Sequence, residues 1–79
     1  MLGKELKYIR KKAGLTQKQI AEYLNVSQTT VVSMEAGTRR IKASEIEKLA
    51  DLYWTDPYTL LNHTEDISVK HIRMSKEIL

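Results

Sequence analysis

The chain predicts an all-α fold of five short helices, and three observations carry that expectation. Apolar residues recur at helical spacing in segment after segment through the first 61 residues. Residues that start and stop helices stand between those segments, among them Thr16, Ser27, the Asp56-Pro57 pair, Gly14 and Gly37. Before residue 62 no stretch alternates apolar and polar residues as a half-buried strand would.

Taken in order, Leu6, Ile9, Arg10 and Ala13 follow the i, i+3, i+4, i+7 rhythm of an amphipathic helix, placed at Leu2 to Lys12, with Gly14 as its stop. Thr16 caps a second helix, and Gln19 three residues later completes a capping-box pattern. Ile20, Ala21 and Leu24 give that helix one apolar face. Asn25 stands where the chain must turn, and asparagine tolerates the left-handed conformation better than most residues. Ser27 caps a third helix running to Ala36, with Val31 and Met34 on its buried side and Gly37 closing it. Thr38 to Ala43 reads as a loop. Ser44 with Glu47 forms a second capping-box pattern and opens a fourth helix to about Tyr53, with Ile46, Leu49, Ala50 and Tyr53 facing inward. Asp56 as N-cap and Pro57 in the first turn open a short fifth helix to Leu61.

Residues 16–37 combine several independent constraints. Two short helices are joined by a tight corner, with a small Ala21 where they would pack closely and uncharged polar residues on the remaining face. This spacing matches a helix-turn-helix, whose second helix enters the DNA major groove. The charge distribution agrees. The net charge is only +3, but Lys4, Lys7, Arg10, Lys11, Lys12 and Lys18 crowd the first 18 residues, and Arg39, Arg40 and Lys42 follow the motif. A basic surround is the electrostatic footprint expected of phosphate binding.

Seventy-nine residues make one small domain, and the absence of cysteine excludes a disulfide framework and a cysteine zinc site. No apolar run approaches the length of a membrane span and no signal-peptide stretch opens the chain, so a cytoplasmic protein without membrane contact is expected. Catalysis is not expected: His63 and His71 lie outside the helical motif, there is no cysteine nucleophile, and Ser27, Ser33 and Ser44 lack a base partner. No cofactor and no metal ligands are expected either.

A first helix carrying an arginine, the "GLTQ" entry, "LNVSQTTVVSME.G" across the turn and third helix, and "KLADLY" followed by "DPYTLL" resemble the Cro/cI-type (XRE-like) helix-turn-helix phage-repressor family. The resemblance covers Leu2 to Leu61 and implies a five-helix lambda-repressor-like DNA-binding domain with a C-terminal extension. Two departures stand out: Asn25 replaces a more usual glycine, and Tyr53-Trp54-Thr55 replaces a small or glycine-containing link.

Residue roles follow from chemistry and from that resemblance together. Gln28, at the start of the third helix, is the strongest base-reading candidate, because its amide can donate and accept and can pair bidentately with adenine. Thr29 and Thr30 offer hydroxyls and a methyl group, Ser33 lies one turn on, and Val32 could meet a thymine methyl. The resemblance implies base reading at Gln28, Thr29 and Ser33. It also implies that Gln17 touches phosphate and braces Gln28, and that Arg10 and Glu35 form a partly buried salt bridge tying the first helix to the third. Arg39, Arg40 and Lys42 are further phosphate candidates, since a loop after the recognition helix crosses the DNA backbone.

Residues 62–79 are separated from the domain as an extension. Ile67, His71, Met74 and Ile78 would form a helical stripe, whereas Ile67 and Val69 begin a strand-like alternation. An oligomerisation element or partner contact is favoured over a linker. The preferred reading of the whole is sequence-specific transcription regulation, a repressor acting as a homodimer on a palindromic double-stranded DNA operator. The competing class is an antitoxin-like or coactivator-like module that uses the same fold to hold a protein partner.

Overall fold

In the computed structural model, which describes residues 2–69 and residue 72, five α-helices and a terminal 3-10 turn account for the regular structure. The helices are α1 (Leu2–Lys12), α2 (Gln17–Leu24), α3 (Gln28–Ala36), α4 (Ala43–Leu52) and α5 (Pro57–Asn62), and the 3-10 turn spans Thr64–Asp66. The all-α expectation holds: among the described residues there is no strand.

Four of the five helices stop in the same way. At the ends of α1, α2, α3 and α4 the chain makes the paired hydrogen bonds of a Schellman turn: Leu15 N to Arg10 O with Gly14 N to Lys11 O, and Val26 N to Ala21 O with Asn25 N to Glu22 O; then Thr38 N to Ser33 O with Gly37 N to Met34 O, and Thr55 N to Ala50 O with Trp54 N to Asp51 O. The left-handed residues at these stops are Gly14, Asn25, Gly37 and Trp54, with φ of 74°, 59°, 82° and 54°. Three of the four are the glycines and asparagine that tolerate this geometry. Trp54 takes it at a cost of roughly 1–2 kcal/mol for a residue with a Cβ, and its ring is half exposed.

Helix starts are fixed as locally as the stops. Thr16 Oγ1 accepts from Gln19 N while Gln19 Oε1 accepts from Thr16 N, the reciprocal box the sequence predicts. Asp56 accepts from Thr59 N and from the Thr59 hydroxyl, with Pro57 in the first turn. The start of α4 differs from expectation. It begins at Ala43, so Ser44 lies inside the first turn and the Ser44–Glu47 box does not form the cap. Lys42 occupies the cap position but has no acceptor oxygen, and Glu45 supplies the only side-chain bond there, accepting from Lys42 N at 2.8 Å.

These helices wrap one core. α2 packs on α3, α1 lies across α3, and α4 packs on α5. Leu6, Ile9, Ile20, Leu24, Val31, Met34, Leu49, Tyr53 and Leu60 are buried together, with Leu52, not foreseen as a core position, fully buried too. Ile67 and Ile72 join the same cluster, so this part of the extension folds back onto the helices, and Lys12 Nζ donates to Ile67 O at 3.4 Å. His71, Met74 and Ile78 lie outside the described residues. No described helix is long and apolar enough to cross a membrane.

One close approach decides how α1 meets α3. A Cβ on Gly3 would stand 2.6 Å from Met34 O and 2.7 Å from Glu35 O. Only hydrogen at that position lets the start of α1 rest on the last turn of α3.

Candidate nucleic-acid interface

The face that α3 offers to solvent follows from its caps and its buried stripe. Ser27 Oγ accepts from Thr30 N at 3.1 Å and shares a hydrogen bond with Thr30 Oγ1 at 2.9 Å, fixing the first turn. Val31 and Met34 turn into the core. With 100° between successive residues, the opposite arc carries Gln28, Thr29, Val32, Ser33 and Ala36. Gln28, Thr29, Val32 and Ala36 are exposed, and Ser33 is half-buried. Thr30 sits at the edge of that arc, half-buried, with its hydroxyl engaged by Ser27. Side-chain chemistry alone groups Thr29 with Thr30; the structure separates them. It also brings Val32, one turn after Gln28 and 44 % exposed, to the middle of the face.

Behind that face an ion pair ties α3 to α1. Arg10 Nε donates to Glu35 Oε2 at 2.7 Å, Arg10 Nη2 to Glu35 Oε1 at 3.1 Å, and Arg10 Nη1 to Leu15 O at 2.8 Å. Leu6, Ile20, Val31, Met34, Leu49 and Tyr53 line the small apolar space beside the pair. Tyr53 shares this environment, and burial pushes its phenol well above the ordinary tyrosine range. Gln17, the first residue of α2, joins the same network, its Nε2 donating to Glu35 Oε1 at 3.1 Å. The Gln17 amide that the resemblance assigns to bracing Gln28 is thus itself anchored to Glu35 through its nitrogen. Physically this is a strong contact, because the acceptor is a charged carboxylate beside an arginine.

The loop after α3 is fastened at both ends. Ser33 O accepts from Thr38 N, Arg39 N and the Thr38 hydroxyl. Arg39 makes a bidentate pair with Glu45, Nη1 to Oε1 at 3.0 Å and Nη2 to Oε2 at 3.1 Å, and Nη1 also donates to Arg40 O. The Arg39 hydrogen bond holds the Glu45 carboxyl below its ordinary range, and the Arg39 guanidinium is raised by the same contact. Arg39 is therefore a brace of the loop, whereas Arg40 and Lys42 are exposed. Of the early basic cluster, Arg10 is buried; Lys4, Lys7, Lys11, Lys12 and Lys18 are on the surface.

An uncharged hydrogen-bonding helix face, a rigid tie behind it and basic side chains beside it make up this surface. A helix-turn-helix family matches residues 6–58 of the chain. The chain belongs to the helix-turn-helix family. Its members include the HTH-type transcriptional regulator ImmR of Bacillus subtilis (strain 168), to which the chain is 39 % identical over 64 residues, 81 % of this chain and 50 % of ImmR. The chain thus spans about half the length of that relative. Among solved structures, a chain of the SinR protein/SinI protein complex superposes with a TM-score of 0.67 over 99 % of this chain and 74 % of its own length. At 21 % identity that likeness speaks for the fold. The family is the Cro/cI-like type that the sequence motifs resemble.

Proposed function

We propose that this chain is the sequence-specific DNA-binding module of a transcription regulator and that it acts as a repressor. The observation that carries the reading is the exposed face of α3. Gln28 and Thr29 stand at its start, Val32 and Ser33 one turn on, and no charged residue interrupts that arc. In the major groove an amide at Gln28 can take the paired donor and acceptor of adenine, and Val32 can rest on a thymine methyl. Thr30, at the edge of the face, reaches phosphate or supports the cap.

Phosphates on either side are taken by Arg40 and Lys42, with Arg39 keeping their loop in place. The N–H groups at the start of α2 add a donor pair, since helix geometry leaves them without an intrahelical acceptor. Gln17 contributes through that backbone, its side chain being held by Glu35. Because this binding releases counterions, affinity falls steeply with salt. A homodimer on a palindromic operator would place two copies of α3 about 34 Å apart, one turn of DNA.

A second reading, a module that also holds a protein partner, draws support from the solved SinR/SinI complex. In this chain the contact would lie in residues 62–79. Both readings leave the domain without catalytic work and place it in the cytoplasm with its DNA.

Selection of bound sequences from a random duplex pool, with the mass of the free and bound protein measured in solution, tests the proposal. A palindromic consensus bound by two chains is expected. Recovery of no consensus at low salt overturns it.

A further inference from the structure

The joint between α5 and the folded-back extension brings three side chains of metal-ligating chemistry to one point. His63 Nδ1 lies 3.8 Å from Glu65 Oε1 and 3.9 Å from Asp66 Oδ2, and the three donor atoms fall within 4.8 Å of one another. Those gaps are too long for direct hydrogen bonds. All three side chains are open to solvent, and one imidazole nitrogen with two carboxylate oxygens is a donor set that a divalent cation can bridge. The spacing also suits one. Two ligands at about 2.1 Å from a tetrahedral zinc-sized ion stand roughly 3.4 Å apart, so closure needs shifts of about half an ångström at the two His63 gaps and up to about 1.4 Å between the two carboxylates, all in side chains open to solvent.

We propose that His63, Glu65 and Asp66 form a divalent transition-metal site, with zinc the ion of best fit. One imidazole and two carboxylates favour zinc, nickel or cobalt over magnesium and calcium, which prefer all-oxygen shells. The remaining coordination positions face solvent and take water. The imidazole ring is packed at 5.6 Å from the Tyr58 ring, which limits its swing. The site spans the end of α5 and the 3-10 turn that leads to buried Ile67, so a bound ion clamps the extension where it leaves the helices.

The test is titration of the full chain with zinc chloride, followed by calorimetry and by NMR of the histidine side chains. One ion per chain is expected, with the His63 ring signals shifted and the thermal midpoint raised. Magnesium chloride at the same concentration should do neither. His63→Ala and the double variant Glu65→Gln/Asp66→Asn should each weaken zinc binding by about tenfold or more, and His71→Ala should leave it unchanged. Glu65 and Asp66 are exposed and His63 is half-exposed, outside the core cluster, so these substitutions leave the core intact. No saturable binding below millimolar zinc, or binding lost with His71→Ala and kept with His63→Ala, would overturn the proposal.

Discussion

Replacing Glu35 by alanine tests the tie between α1 and α3 at its most exacting point. The carboxylate accepts from Arg10 Nε, Arg10 Nη2 and Gln17 Nε2, and its side chain is 6 % exposed against 10 % for Arg10. Without it the guanidinium keeps only its bond to Leu15 O and stays beside Leu6, Ile20, Val31 and Met34. Stranding one partner of a buried pair costs about 3–5 kcal/mol. A domain of this size has a total stability of about 4–12 kcal/mol, so the loss removes a large share of it. In thermal terms the midpoint should fall by about 12 °C or more. Urea unfolding followed by circular dichroism measures it, with Arg10→Met/Glu35→Leu as the companion variant. The double variant should recover most of the loss, since an apolar pair of similar volume removes the stranded charge. A loss below about 1 kcal/mol for Glu35→Ala, the scale of a solvent-exposed pair, would refute the reasoning.

Gly3→Ala should destabilise by about 1–3 kcal/mol, because the added Cβ presses on the backbone carbonyls of Met34 and Glu35; chemical denaturation reads it, and a neutral result would mean α1 does not rest on α3 as described. Gly14→Ala meets no atom within 4 Å, so its cost of about 1 kcal/mol comes only from φ of +74° and should appear with no change in DNA affinity. The Glu45 carboxyl is held low in the folded state by Arg39. Its contribution to stability is therefore full above the ordinary value of 4.5 and is lost as pH falls through the lowered folded value. Glu45→Gln should flatten that part of the acid limb in a pH series of unfolding midpoints.

Most of the fold was legible because its punctuation is local. A threonine three residues before a glutamine, an aspartate before a proline, and glycine or asparagine after an apolar stripe each act within one turn of backbone, and those starts and stops fell where the residues said. The start of α4 was misread for a related reason. Ser44 and Glu47 have the right spacing, but Glu45 is drawn to Arg39 and caps the helix from inside, two residues earlier. Trp54 carries no local sign that it will be left-handed; the Schellman turn after α4 imposes that geometry on whatever residue arrives there. Gly3 was invisible as well, since its importance lies in a contact with residues more than thirty positions away. At the site, helical spacing identified the outward arc of α3, while the difference between Thr29 and Thr30, and between Arg39 and Arg40, came from hydrogen bonds that sequence spacing does not encode.

In the proposed complex Gln28 reads sequence and Arg40 holds phosphate. Competition binding with the selected duplex and a random duplex of equal length, at fixed salt, measures both at once. Gln28→Ala should erase about 1–3 kcal/mol of preference for the selected duplex, whereas Arg40→Ala should weaken both duplexes alike and reduce the salt dependence. Preference left intact by Gln28→Ala would contradict the central claim.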